Sequence, residues 1–255
     1  MTLSETVRRL VRRAVPDTEI APPELGGLRL VVPRGYAGTY GEGYEPAVTR
    51  ALGRLVGRGD VCADVGAHIG FFAMLMAHRA GPDGRVLAFE ASKENVGYIA
   101  RSVGLNEGRA RVELHHAAVT DGATETVELY PGRTGGAMEW TISEEFAARE
   151  DEAPKDREGV TVPAVALDDV FAPGERVDVI KMDIEGGEVM AMKGAQRLLS
   201  EERPAFLIEF HREVGWPAIE SLVAAGYKFE DLDGNRLETP ADAASVPYQF
   251  IAASR

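Results

Sequence analysis

Cysteine is almost missing from this 255-residue chain. Cys62 stands alone, which excludes an internal disulfide and a multi-cysteine zinc site and sets the expectation of a reducing, cytoplasmic location. Long apolar runs are missing as well. The longest, residues 71–77, falls far short of the roughly 20 residues that cross a bilayer, so no membrane span is expected. Positive charge is scarce: 28 Lys and Arg face 41 Asp and Glu, a formal net charge of −13. A surface that tracks phosphates needs the opposite balance, which argues against a nucleic-acid partner and for a small substrate. Arg8, Arg9, Arg12 and Arg13 are set around Leu3, Val7, Leu10 and Val11, the pattern of a short surface helix, and no apolar leader segment follows them. With 45% apolar and 27% charged residues, what remains is a globular chain long enough to bury a substantial core.

From Val61 onward, short apolar runs alternate with helical patterns, the signature of βαβ units and a largely parallel sheet. Strands are expected at 61–64, 85–89, 111–119, 177–182 and 205–210, with a last one at 249–253. Helices are expected at 45–56, 71–80, 93–104, 188–199 and 217–225, with Ser92 as the N-cap of the third. Residues 15–45, rich in Pro, Gly and Tyr, read as a cap or lid, so 1–45 form an N-terminal helix and cap and 46–255 the main domain. Asp121-Gly122 is a hairpin signal opening an insertion at about 120–166. Within it, residues 144–158 carry seven acids and three bases and read as a mobile surface loop.

The first expected strand ends in Asp64-Val65-Gly66-Ala67-His68-Ile69-Gly70 and runs straight into a helix. Glycines at such a junction let the backbone turn sharply against a ligand, and the helix N-terminus offers free N–H groups. Glu90 closes the next strand, where a carboxylate can accept from the hydroxyls of a ribose. A nucleoside-containing cofactor follows. The loop differs from the G-x-G-x-x-G of dinucleotide enzymes: His68 takes the place of the middle glycine, and histidine tolerates the positive φ of a tight turn. Asp64, Glu90, Asp183 and Glu209 each close an expected strand, so a parallel sheet would set four carboxylates along the edge where open α/β sheets bind ligands. Helix capping by Asp64 and Glu90 is the competing explanation.

These residues, with Ala88-Phe89-Glu90, Leu167-Asp168-Asp169, Lys181-Met182-Asp183-Ile184-Glu185-Gly186 and Ile208-Glu209-Phe210-His211, resemble the FkbM family of S-adenosylmethionine-dependent methyltransferases. The resemblance runs from about Tyr44 to His211. It departs from the family at His68, where Asn is usual, and at Ala91, where Pro is usual. It implies an α/β, doubly wound, Rossmann-like sheet of seven strands of the class I methyltransferase type, with the last strand antiparallel. O-methylation of a sugar or natural-product hydroxyl is the activity it implies. By matching position, Asp64, Gly66, Ala67, His68 and Gly70 would border the methionine end of the cofactor, Asp183 would join them, Glu90 would hold the ribose, and Ala117 and Ala118 would flank the adenine. Glu45 would close over the cofactor, with a helix N-terminal acid as its plainer role.

In-line methyl transfer to a neutral hydroxyl needs a base to take the proton. Asp183 and His211 are the candidates, with Glu209 and Glu185 as carboxylates that tune an imidazole. Together the four are also a ligand set for Mg²⁺ or Mn²⁺, an open alternative. His115 and His116 point to opposite faces of a strand and cannot easily share an ion. Tyr36, Tyr40, Tyr44 and the Met138-Glu139-Trp140 segment are candidates for contact with the acceptor. N-methylation of an amine or peptide, and a non-catalytic S-adenosylmethionine-binding partner protein, are the alternatives. A homodimer is compatible with the sequence, which leaves the oligomeric state open.

Overall fold

The computed structural model describes residues 17–108, 111–131, 140–142, 159–209, 216–238 and 249–253. Its N-terminal part comprises β1 (Thr18–Ile20) paired antiparallel with β2 (Leu30–Val32), a short helix α1 (Ala37–Tyr40) and α2 (Pro46–Leu55). The α/β alternation then runs β3 (Val61–Val65), α3 (Phe71–Ala80), β4 (Arg85–Glu90), α4 (Lys93–Leu105) and β5 (Val112–His116). An inserted set of strands follows, β6 (Ala118–Val119), β7 (Thr126–Pro131), β8 (Trp140–Thr141) and β9 (Val160–Val165), leading into α5 (Leu167–Val170). The chain continues through β10 (Val179–Met182), α6 (Glu188–Lys193), β11 (Ala205–Glu209) and α7 (Trp216–Ala224), and ends in β12 (Lys228–Glu230), β13 (Arg236–Leu237) and β14 (Gln249–Ala253).

The main sheet has the order β13-β12-β14-β11-β10-β3-β4-β5. Strands β5, β4, β3, β10 and β11 pair in parallel, and the final strand β14 runs antiparallel to both β11 and β12. The sheet has eight strands where seven are expected, with the two-residue β13 at its edge. Strand parity explains why the central strands are apolar throughout. Cys62, Val86, Ala88, Val179 and Leu207 enter one cluster, and their neighbours Ala63, Leu87, Ile180, Phe206 and Ile208 enter a second on the other face. The first face is covered by α2, α3, α4 and residues 25–32, the second by α5, α6 and α7. Helix α3 is buried almost all round because it lies between the sheet and the N-terminal segment, from which Leu25, Leu28 and Leu30 join its cluster.

Several sequence expectations are corrected. The expected strand 111–119 is two strands, because the chain leaves β5 at Ala117 and β6 joins a separate four-stranded sheet, β6-β9-β7-β8. Asp121-Gly122 therefore closes no hairpin: β9 lies between β6 and β7, parallel to the first and antiparallel to the second. The expected helix 188–199 stops at Lys193, where a Cβ on Gly194 would sit 2.1 Å from the Thr120 carbonyl oxygen, and resumes as a π-helical turn over Leu198–Glu202. Ser92 occupies the N-cap of α4 but makes no side-chain cap bond. Among the described residues no helix is long and apolar enough to cross a membrane. The arginine-bearing segment 1–14, the acidic stretch 144–158 and Met138-Glu139 lie outside the described residues.

Candidate functional site

The loop after β3 folds back over the ends of β3 and β4. The N–H groups of Gly66 and Ala67 both donate to the Phe89 carbonyl, at 3.0 and 2.9 Å, and Gly70 N–H donates to Ala67 at 2.7 Å. Gly66 has φ +79°, and a Cβ there would lie 1.9 Å from the Asp183 carbonyl oxygen, so only glycine lets the loop lie against the end of β10. His68 adopts φ +55°, in keeping with its expected place in a tight turn. Its N–H donates to Glu90 Oε2 at 2.8 Å, and its ring Nδ1 is hydrogen-bonded to the Tyr40 hydroxyl at 3.0 Å.

Glu90 is buried at the end of β4. Its Oε1 accepts from Ser92 N–H at 2.8 Å and from Asn95 Nδ2 at 3.3 Å. Burial pushes its carboxyl up to about 7, against the opposing pull of these donors and the His68 N–H. Three donors occupy three of the roughly four lone-pair positions of a carboxylate, which leaves room for one more. Asp64 differs from the expectation. Strand β3 continues to Val65, and Asp64 is fully buried beneath the loop, facing Lys181 Nζ at 3.7 Å, and does not line the cavity. Among the described residues neither of its carboxylate oxygens has a partner within hydrogen-bond distance, and burial raises its carboxyl to about 6 despite the lysine.

Strand parity places Lys181, Asp183 and Glu209 on the face that carries Asp64 and Glu90. Lys181 is the site residue that sequence reasoning passed over. Only 4% exposed, it holds its ammonium 3.6 Å from Asp183 Oδ2 and 5.1 Å from the Phe72 ring centroid. The neighbouring carboxylates outweigh burial and raise its pKa, so it stays charged. An ionisable group in the middle of Val179-Ile180-Lys181-Met182 was the available signal.

The loop, these strand ends and the N-terminal segment enclose a cavity of about 410 Å³. Glu45, Glu90, Asp183, Glu185 and Glu209 line it together with Gly66, Ala67, His68, Ala117 and Ala118. Gly70 instead starts α3, its Cβ position 3.2 Å from Ile99. Tyr36, Tyr40 and Tyr44 form one wall, with Tyr40 and Tyr44 rings 4.4 Å apart. Burial raises the Tyr40 hydroxyl to about 12 and the Tyr44 hydroxyl further, so both stay protonated. Glu45 is the N-cap of α2 at φ +38°, without a side-chain cap bond. Leu129 of the inserted sheet and Ile142, just past β8, supply an aliphatic wall, and the Thr141 hydroxyl donates at 2.5 Å to the carbonyl of Glu185, itself at φ +50°. Local sequence gave no sign of this contact.

His115 stacks on Phe89, and His116 is exposed with its Nε2 3.1 Å from the Ala91 carbonyl, so neither lines the cavity. His211 lies outside the described residues. Among the described residues no three His, Cys, Asp or Glu side chains gather in a metal-holding arrangement, and the cation nearest Asp183 is Lys181.

Known proteins give the site a context. The family model described as the methyltransferase FkbM domain matches residues 64–229. Methyltransferase sdnD of Sordaria araneosa is 27% identical over 205 residues, covering 72% of this chain and 78% of that protein. The solved FkbM methyltransferase of Methylobacillus flagellatus KT is 20% identical with a TM-score of 0.47, covering 76% of this chain and 43% of the other. The precorrin-6y C5,15-methyltransferase of Geobacter metallireducens GS-15 is 16% identical with a TM-score of 0.47, covering 83% and 89%. Because the family model spans well over half of its length, the chain belongs to the FkbM family of S-adenosylmethionine-dependent methyltransferases.

Proposed function

We propose that the protein transfers a methyl group from S-adenosylmethionine to a hydroxyl of a small molecule of sugar or natural-product type. The observation that carries this reading is the cavity itself. One end holds a buried carboxylate at a strand end, Glu90, beside the small side chains of Ala117 and Ala118. The other end gathers Asp183, Glu185 and Glu209 at the ends of β10 and β11. The remaining acceptor position on Glu90 fits a ribose hydroxyl, and the gap bordered by Ala117 and Ala118 fits a flat base. Bound S-adenosylmethionine supplies an electrophilic methyl group on a sulfonium.

The chain's own residues do the rest. The Gly66-Ala67 backbone borders the amino-acid end of the cofactor, and Asp64 answers Lys181 beneath it. Asp183 is the base that takes the acceptor's proton, and Glu185 and Glu209 bias the pocket toward a proton-losing or cationic group. The tyrosine wall and the Leu129-Ile142 wall keep water from the reacting atoms, which favours a step in which opposite charges cancel.

The test is transfer of a labelled methyl group to a panel of hydroxyl and amine acceptors, with the linkage in the product identified. An O-methyl product that disappears in Asp183→Asn supports the reading. An N-methyl product, or tight S-adenosylhomocysteine binding with no transfer to any acceptor, overturns it.

A further inference from the structure

Lys181 is an ammonium buried in a strand, and its two ion-pair distances, 3.7 Å to Asp64 and 3.6 Å to Asp183, are both longer than a hydrogen bond. Among the described residues, its three N–H donors meet no acceptor within hydrogen-bond distance, although a lysine head this deep requires partners. It borders the cavity. Among the described residues it is the only Lys or Arg that does so, facing five lining carboxylates, Glu45, Glu90, Asp183, Glu185 and Glu209. An anionic group entering so acidic a space has one cationic side chain to meet.

Position narrows what that group is. Lys181 lies against Phe72, the second residue of α3, so the ammonium sits by the first turn of a helix whose N-terminus is itself favourable to negative charge. Its strand, β10, is separated from Glu90 on β4 by β3 alone, which puts the two about 10 Å apart across the sheet. A nucleoside held by its ribose at Glu90, with an amino-acid tail crossing the loop at Gly66, ends near Lys181.

We propose that Lys181 is the binding partner of the carboxylate on the cofactor's amino-acid tail, and that Asp64 and Asp183 hold the ammonium in place for it. The inference rests on the proposed use of S-adenosylmethionine and adds the residue that recognises its one anionic group. Asp64, the most deeply buried of the strand-end acids, then serves the cofactor through Lys181 and makes no contact with it.

The test is calorimetry on the full chain with two probes. S-Adenosylhomocysteine carries both the ammonium and the carboxylate of the tail, and 5′-(3-aminopropylthio)-5′-deoxyadenosine keeps the ammonium and lacks the carboxylate. Lys181→Met is expected to weaken S-adenosylhomocysteine by about 10- to 100-fold, the range of a lost charge-assisted hydrogen bond. The aminopropyl nucleoside is expected to bind as before or more tightly, because Asp64 and Asp183 lose their cation. Lys181→Arg is expected to stay within about threefold of wild type for both probes. If Lys181→Met does not fold, Lys181→Gln, neutral and polar, carries the same comparison.

Equal weakening of both probes overturns the proposal. So does unchanged S-adenosylhomocysteine affinity with a raised KM for the methyl acceptor, which would turn Lys181 toward the acceptor. A wild-type protein that binds neither probe overturns the cofactor reading itself, an outcome distinct from these two.

Discussion

Replacing Gly66 by alanine probes the close approach on which the site is built. Gly66 has φ +79°, with its Cβ position 1.9 Å from the Asp183 carbonyl oxygen and 3.0 Å from the Ile184 side chain. Gly59 has the same φ of +79° and nothing within 4 Å of its Cβ position, which makes it the matched control. Left-handed backbone costs an L residue about 1 to 2 kcal/mol, the whole of the loss expected for Gly59→Ala. Gly66→Ala carries that strain and must also open the contact with Asp183. The loop cannot simply lift, because the N–H groups of Gly66 and Ala67 are bonded to Phe89 at 3.0 and 2.9 Å. Overpacking of this kind adds about 1 to 3 kcal/mol, so Gly66→Ala is expected to lose about 2 kcal/mol more than Gly59→Ala in urea unfolding with equal m-values. The displacement moves the loop relative to Asp183. Gly66→Ala should therefore bind S-adenosylhomocysteine at least about 10-fold more weakly, while Gly59→Ala binds as wild type. Equal stability losses in the two variants, or wild-type affinity in Gly66→Ala, refute the reasoning.

Other expectations follow from single contacts. Burial raises Glu90 from its usual 4.5 to about 7, so between those values the folded chain keeps a proton that the unfolded chain has released. Glu90 thus lowers stability as pH rises through that window, by up to about 3 kcal/mol. The unfolding free energy of wild type minus that of Glu90→Gln should fall between pH 4.5 and 7.5, and a pH-independent difference contradicts the assignment. Thr141→Val removes the donor to the Glu185 carbonyl and is expected to cost about 1 to 3 kcal/mol in thermal or urea unfolding, with Thr141→Ser restoring most of it. A Thr141→Ser protein no more stable than Thr141→Val would show that the methyl group, and not the hydroxyl, matters. Tyr40→Phe removes the hydroxyl bonded to the His68 ring and is expected to shift the His68 imidazole NMR resonances while costing about 1 kcal/mol. Unchanged resonances would mean that the bond is not formed in solution.

What the sequence disclosed was whatever depends on periodicity and neighbouring residues. The alternation of apolar runs located β3, β4, β10 and β11, and the Gly66 loop and Glu90 were legible because strand ends followed by small residues and helices have few other uses. Asp64 misled by one position: β3 runs on to Val65, and the carboxylate is buried beneath the loop. Lys181 was legible in principle, since it shares the parity of Val179 and Asp183 on the face covered by α3. The contacts of the inserted sheet were not. Thr141 meets Glu185 across 44 residues of chain, and β9 separates β6 from β7, arrangements set by tertiary pairing for which Asp121-Gly122 gave a misleading local signal. The helix after Glu188 was cut short for a similar reason, the passage of Gly194 against Thr120.

The central claim is that the cavity between Glu90 and Lys181 takes the adenosyl and amino-acid parts of S-adenosylmethionine. Titration calorimetry of the wild-type chain and Glu90→Ala with S-adenosylhomocysteine, alongside NAD as a second nucleotide, tests it most directly. The account predicts saturable one-to-one binding of S-adenosylhomocysteine, at least about 10-fold weaker in Glu90→Ala, and no binding of NAD. A protein that binds NAD and ignores S-adenosylhomocysteine, or that binds it equally well without the Glu90 carboxylate, contradicts the account.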